Sequence, residues 1–265
     1  MSTLAWIIAS GLLGGVVSVA AAALVAFQAR PTAIPMLVSY SVGALLGAAF
    51  LGVLPHAFEV GSPTALGASV LAGLMFFFVL EKLVLWRHHH APQWGEEARA
   101  VAEAAGVRHA HHDHSRSGTM IMIGDTFHNF VDGVLIAAAF MADFHLGLVT
   151  ALAILAHEVP SEVGDFLVLL HSGYTRRQAL LVNLFSSAAM VVGGLVGYLA
   201  LQAVKGLLPS LLGFVAASMI YVAVADLIPG LHKRIDLRTT LHQVILIGLG
   251  IATIVAVRTL IDHTH

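Results

Sequence analysis

Two short strings, HNFVDG at residues 128–133 and HEVPSE at 157–162, place imidazole, amide and carboxylate groups inside stretches that are otherwise apolar. On an α-helix, residues three, four and seven apart share a face. Asp125, His128, Asn129 and Asp132 have that spacing. In the second string His157 pairs with Ser161 and Glu158 with Glu162, one turn apart, and Asp165 lies a further turn down. Nitrogen and oxygen donors gathered in this way bind divalent metal ions or pass protons along. The chain has no cysteine, which excludes disulfides and thiolate ligands together and leaves any metal to nitrogen and oxygen donors.

The surroundings decide what these groups are for. Of 265 residues 58% are hydrophobic and 11% are Asp, Glu, Lys or Arg, with a mean hydropathy of +0.89. Such a chain is dissolved in a bilayer. An ionised side chain at the centre of a membrane helix costs about 2.5 to 3.5 kcal/mol on insertion scales, and Asp125, Asp132, Glu158, Glu162 and Asp165 all fall inside two neighbouring apolar stretches. One buried carboxylate, Asp125 or Asp165 for instance, can be protonated and hydrogen-bonded in a purely structural role. Five carboxylates and two histidines with no Lys or Arg in either stretch call for a positive charge from elsewhere, a bound cation or a proton in passage.

Eight apolar runs long enough to cross ~30 Å of hydrocarbon make up the rest of the chain. Span 1 is MSTLAWIIASGLLGGVVSVAAAALVAF. It carries no Lys or Arg before Arg30 and is too long for the apolar region of a secretion signal. Spans 2 to 8 are expected at 36–58, 64–86, 119–142, 145–171, 177–203, 207–230 and 240–262. The fold class is therefore all-α, a single transmembrane domain of eight helices over residues 1–265, with none of the short alternating segments of a membrane β-barrel.

Eleven of the 13 Lys and Arg residues fall on one side of this arrangement, and only Lys205 and Arg258 on the other. Positive loops stay cytoplasmic, so both termini are expected outside the cytoplasm, across the cell (inner) membrane, and in the periplasm if the host is a double-membraned bacterium. His128 then sits ~15 Å deep, near the midplane, at 1.5 Å per residue from the cytoplasmic end of span 4. A net charge of −2 makes nucleic acid an improbable partner.

The segment 87–118 is the one with soluble character, a cytoplasmic loop holding seven of the 16 histidines. His88, His89, His90, His109, His111, His112 and His114 suit a solvated loop that also buffers or senses zinc and similar ions. Pro160, inside span 5, has no N–H to donate, which frees the carbonyl near Ala156 and predicts a kink beside the ligand candidates. Gly43, Gly47, Gly193, Gly194 and Gly197 are the small residues through which membrane helices approach one another. Five polar positions complete the picture: His56 and Glu59 end span 2 near the outer face, His145 and His171 lie at the ends of span 5, and Asp226 is a bundle or relay carboxylate in span 7. The strings of spans 4 and 5 also mirror one another, which points to a pseudo-twofold axis in the membrane plane.

IGDTFHNFVDG and HEVPSEVGDF, with YSVGALLGAAFLGVLPHAFE in span 2 and FVAASMIYVAVADLIPGL in span 7, resemble the ZIP (Zrt/Irt-like) family of divalent metal transporters, its histidine-rich branch most of all. The resemblance covers essentially all eight spans. It implies an eight-helix bundle with outward termini, a metal site between spans 4 and 5, uptake of zinc or a related ion toward the cytoplasm, and a homodimer in the lipid bilayer. Carried over by position, it makes His128, Asn129 and Asp132 ligands from span 4, and His157 and Glu158 ligands from span 5. The family site holds up to two neighbouring metals, and Asn183 in span 6 occupies a matching polar position. Ser161 departs from the pattern, since relatives have histidine or glutamate there; Glu162 or a water is expected to substitute. Nitrogen and oxygen donors suit Zn(II), Fe(II), Mn(II), Co(II) and Cd(II) as the carried ion, with no cofactor besides it.

Two other readings fit parts of the sequence. HEVPS begins like the H-E-x-x-H of a zinc metalloprotease, but the second histidine that motif needs at i+4 is Ser161. A proton-coupled transporter of an organic solute would need an aromatic or basic pocket, and spans 4 and 5 show none.

Overall fold

The computed structural model describes residues 2–28, 33–89, 113–171, 173–203, 206, 208–232 and 236–262, which are helical almost throughout, with no strand among them. Span 1 is Thr3–Gln28, span 3 Pro63–His89, span 4 Asp113–Ala142, span 5 Phe144–His171, span 6 Arg176–Ala203 and span 8 Leu237–Asp262. Spans 2 and 7 are built alike. Span 2 runs as Ala33–Gly47, a π-helical stretch Ala48–Val53 and Leu54–Val60, and span 7 as Leu208–Tyr221, a π-helical stretch Val222–Leu227 and Ile228–Leu231.

Seven of these segments are long and apolar enough to cross a membrane by length and composition. Span 4 is outside that set because the polar face that makes it interesting also lowers its hydropathy. The chain is an all-α, multi-pass membrane protein. Spans 3 and 4 extend past the ends of their apolar runs, to His89 and from Asp113. Hydropathy marks where hydrocarbon stops, whereas backbone hydrogen bonding continues a helix into the polar zone. His88, His89 and His114 thus lie on helical backbone, and His90, His109, His111 and His112 fall outside the described residues.

Helix starts follow local side-chain chemistry. The Asp143 carboxylate accepts the Leu146 N–H at 2.9 Å to open span 5, Ser62 accepts from Ala65 at 3.2 Å before span 3, and Asp236 accepts from Thr239 at 2.9 Å before span 8. Span 6 begins with a reciprocal box: Thr175 Oγ1 accepts the Gln178 N–H at 3.3 Å while Gln178 Oε1 accepts the Thr175 N–H at 2.9 Å. Gly173, at φ 88°, turns the chain between spans 5 and 6.

The spans sort into two bodies. Spans 1, 4, 5 and 6 pack on one another, and so do spans 2, 3, 7 and 8; the two groups meet chiefly where span 2 lies along span 5. Without a hydrophobic force between helices in lipid, association rests on close packing of small residues. Each body has such a crossing. A Cβ at Gly133 or Gly193 would overlap backbone of the facing helix where span 4 crosses span 6, and Gly43 and Gly250 play the same part where span 2 crosses span 8. Gly133 follows Asp132 directly, so the closest approach of span 4 to span 6 also anchors the polar turn of span 4.

Candidate metal centre between spans 4 and 5

His128, Asp132, His157 and Glu158 each offer a ligand atom, and those atoms all lie within 4.8 Å of one another. The helical period puts His128 and Asp132 one turn apart on span 4, and the adjacent residues His157 and Glu158 meet them from span 5. His128 Nε2 is 3.1 Å from His157 Nε2, 3.6 Å from Asp132 Oδ2 and 3.7 Å from Glu158 Oε1. His157 Nε2 is 3.2 Å from Asp132 Oδ2 and 3.8 Å from Glu158 Oε1. Donors bound at about 2.1 Å to a tetrahedral zinc stand about 3.4 Å apart. These five separations, 3.1 to 3.8 Å, bracket that edge length.

The surroundings favour a cation. Asp132, His157 and Glu158 are buried, whereas His128 keeps 31% of its side chain exposed. Asp132 Oδ2 and both Glu158 oxygens are buried and accept no hydrogen bond from the described residues. Acceptors in that condition are costly until a proton or metal reaches them. His157 Nδ1 lies 3.4 Å from the Ala153 carbonyl, an acceptor, so the Nδ1–H tautomer satisfies that contact and turns the Nε2 lone pair into the group.

The other candidates lie on the same helices or on span 6. Asn129 is buried and donates its amide to Asp125, at 3.0 Å to Oδ1 and 3.2 Å to the backbone carbonyl, which leaves its own Oδ1 as a buried acceptor. Glu162 faces span 6: its Oε1 accepts the Ser187 hydroxyl at 2.7 Å, and its backbone carbonyl accepts the Asn183 amide at 3.0 Å. Ser161 and Asp165 are half-buried on span 5, with Asp165 in electrostatic reach of Asp125 and Asp226. A polar cluster therefore links spans 4, 5 and 6, in which Asn129 bonds Asp125 and Glu162 bonds Asn183 and Ser187.

Sequence reasoning passed over two hydroxyls that the structure brings to these elements. Ser187 has a readable signal, since Asn183, Ser186 and Ser187 sit at i, i+3 and i+4 of an apolar helix. Ser41, which donates to the Ala156 carbonyl across the span 2 to span 5 contact, has no such pattern. Span 5 continues as helix through Pro160.

At the end of the bundle where span 5 begins, Gly52, His56, Asp143, His145, Leu146, Val149 and Arg258 line a cleft of about 220 Å³. Asp143 Oδ1 is 3.8 Å from His145 Nδ1. Among the described residues no second set of three or more His, Asp and Glu side chains converges as the central one does. His171 has no described side chain.

Comparison with known proteins agrees with this picture. Zinc transporter ZIP13 of Mus musculus is 32% identical over 250 residues, which cover 83% of this chain and 68% of the mouse protein. ZIP13 of Homo sapiens is 29% identical over 267 residues, covering 85% and 71%. Zinc transporter ZIP4 of Homo sapiens is 41% identical over 133 residues, 49% of this chain and 20% of that protein. The profile of the family described as ZIP Zinc transporter matches residues 2–258. Nearly the full length of all eight helices is thereby accounted for, and the chain belongs to the ZIP zinc transporter family.

Proposed function

We propose that the protein carries divalent transition-metal ions, zinc foremost, from outside the cell toward the cytoplasm through the group His128, Asp132, His157 and Glu158. The observation that carries this reading is the convergence, in the middle of two membrane helices, of two imidazoles and two carboxylates with no basic side chain in either helix core. A hydrated ion would enter at the exposed edge of His128 and exchange water for these donors. Movement of spans 4 and 5 with their neighbours against the other body would then open the site to the cytoplasm. The arrangement of the bundle in two bodies supports such a motion.

The donor set suits Zn(II), with Fe(II), Mn(II), Co(II) and Cd(II) as further cargo, and does not favour Cu(I), which prefers sulfur. The polar cluster around Asn129 and Glu162 is where a second ion or an outgoing ion would rest, with Asn183, Asp125 and Asp165 beside it. Location in the cell membrane with both termini outside follows from the charge asymmetry, and assembly as a homodimer from the family resemblance. The protease reading is disfavoured: Ser161 stands where the second zinc histidine would be, and Glu158 turns toward both histidines as a ligand would. Zinc uptake into proteoliposomes by the wild-type chain and by His128→Ala with Glu158→Ala tests the proposal. Uptake by the double variant at the wild-type rate would refute the site.

A further inference from the structure

Proline inside a helix leaves the carbonyl four residues earlier without its amide partner. In a membrane that carbonyl cannot turn to water, so another group must satisfy it. Two embedded prolines of this chain show where the replacement donors come from. Pro55 of span 2 frees the carbonyl of Leu51, and Arg258 of span 8 donates its guanidinium there. Pro160 of span 5 frees the carbonyl of Ala156, and Ser41 of span 2 donates its hydroxyl there.

The two contacts differ in what they join. Arg258 and Leu51 belong to the same body, whereas Ser41 and Ala156 belong to different ones, and Ala156 immediately precedes His157 and Glu158. A serine hydroxyl in a helix ordinarily bonds back to its own i−4 carbonyl. Ser39, half a turn away, does that with Pro35 at 2.7 Å. Ser41 also lies 2.9 Å from Leu37 O, but that carbonyl already faces the Ser41 N–H along the helix and has less need of a second donor.

We infer that Ser41 is a positioning residue for the metal centre: its hydroxyl stands in for the amide that Pro160 lacks, and ties span 5 to span 2 at the depth where His157 and Glu158 meet span 4. One turn on along span 2 the position is Leu45, and Ala48 and Ala49 follow, all buried and none able to donate. A span 5 that slid along span 2 would find no second hydroxyl there, so the tie holds one position of the helix and must break when the site moves. This inference rests on the transport reading for its physiological meaning, but its geometry can be tested apart from it.

The test uses the full chain as wild type, Ser41→Ala, Ser41→Thr, Pro160→Ala and Ser41→Ala with Pro160→Ala. Each is assayed for zinc uptake in proteoliposomes and for zinc affinity in detergent by competition with a chromogenic chelator. With one buried carbonyl left unpaired, Ser41→Ala should raise the zinc concentration for half-maximal uptake, and weaken affinity, by about fivefold or more. Ser41→Thr keeps the hydroxyl and should stay within about twofold of wild type. Pro160→Ala returns an amide to the Ala156 carbonyl, so adding Ser41→Ala in that background should cost less than about twofold. An equal penalty in both backgrounds, or none in the presence of Pro160, would overturn the inference. If Pro160→Ala does not fold, the hydroxyl decides: loss with alanine but not threonine supports it, and equal behaviour of the two overturns it. A wild-type chain that binds zinc and shows the cycle in affinity but takes up none would sink the transport reading and leave the positioning role standing.

Discussion

Among the described residues two clusters bring histidine and aspartate together, and in only one of them do the donor atoms converge. At mid-depth, His128, Asp132, His157 and Glu158 bring their ligand atoms within 4.8 Å of one another, and three of the four side chains are buried. In the cleft at the start of span 5, His56, Asp143 and His145 share a cavity with Arg258. There Asp143 is engaged in opening span 5, and the guanidinium supplies the positive charge that the central site lacks. The difference teaches that residue type alone does not make a metal centre. Convergence, desolvation and an uncompensated negative charge do, because only together do they make the ion cheaper to bind than to leave in water.

The strongest test of this contrast removes the central group. His128→Ala with Glu158→Ala should reduce zinc uptake into proteoliposomes to the level of empty vesicles, a loss of about a hundredfold or more if each ligand is worth at least tenfold. Asp132→Asn keeps the shape but removes a charge that touches both histidines, and zinc affinity measured by chelator competition should fall by about tenfold or more. Protons compete with metal for imidazole nitrogen, so lowering the pH on the loading side from about 7.5 to about 5.5 should weaken uptake several-fold and reversibly. The sign is fixed by the ligands: the metal needs neutral imidazole, and acid removes it. Smallest of all, His56→Ala with His145→Ala in the cleft at the start of span 5 should change the half-maximal zinc concentration by no more than about twofold, because no converged donor set is lost there. A loss there equal to that of the central double variant would erase the distinction between the two regions.

Much of this was legible along the chain because it depends on local repeats. The helical period placed His128 with Asp132 and Glu158 with Glu162 on shared faces, the apolar runs located the spans within a few residues, and the lack of Lys and Arg in spans 4 and 5 announced the missing charge. Other features depend on neighbours distant in sequence. Glu162 shares a helix face with Glu158, and in the structure its Oε1 accepts from Ser187, 25 residues away. Asn183 matches a polar position by family likeness, and in the structure its amide serves the backbone of span 5. The π-helical stretches of spans 2 and 7 leave no hydropathy signature at all, since they alter the register of backbone bonding and not the types of residue.

By itself the sequence determined that the protein lives in a bilayer, that its helices number about eight, and that two of them carry several carboxylates with no basic side chain of their own. Those conclusions follow from composition and from spacing within one helix, where the backbone geometry is known in advance. Which four of the candidate donors meet, which way each imidazole faces, and which hydroxyl answers the carbonyl released by Pro160 were decided by the tertiary structure alone. They depend on the rotation and depth of one helix against another, set by close contacts such as Gly133 on span 6, and no periodicity within a single helix encodes that relation.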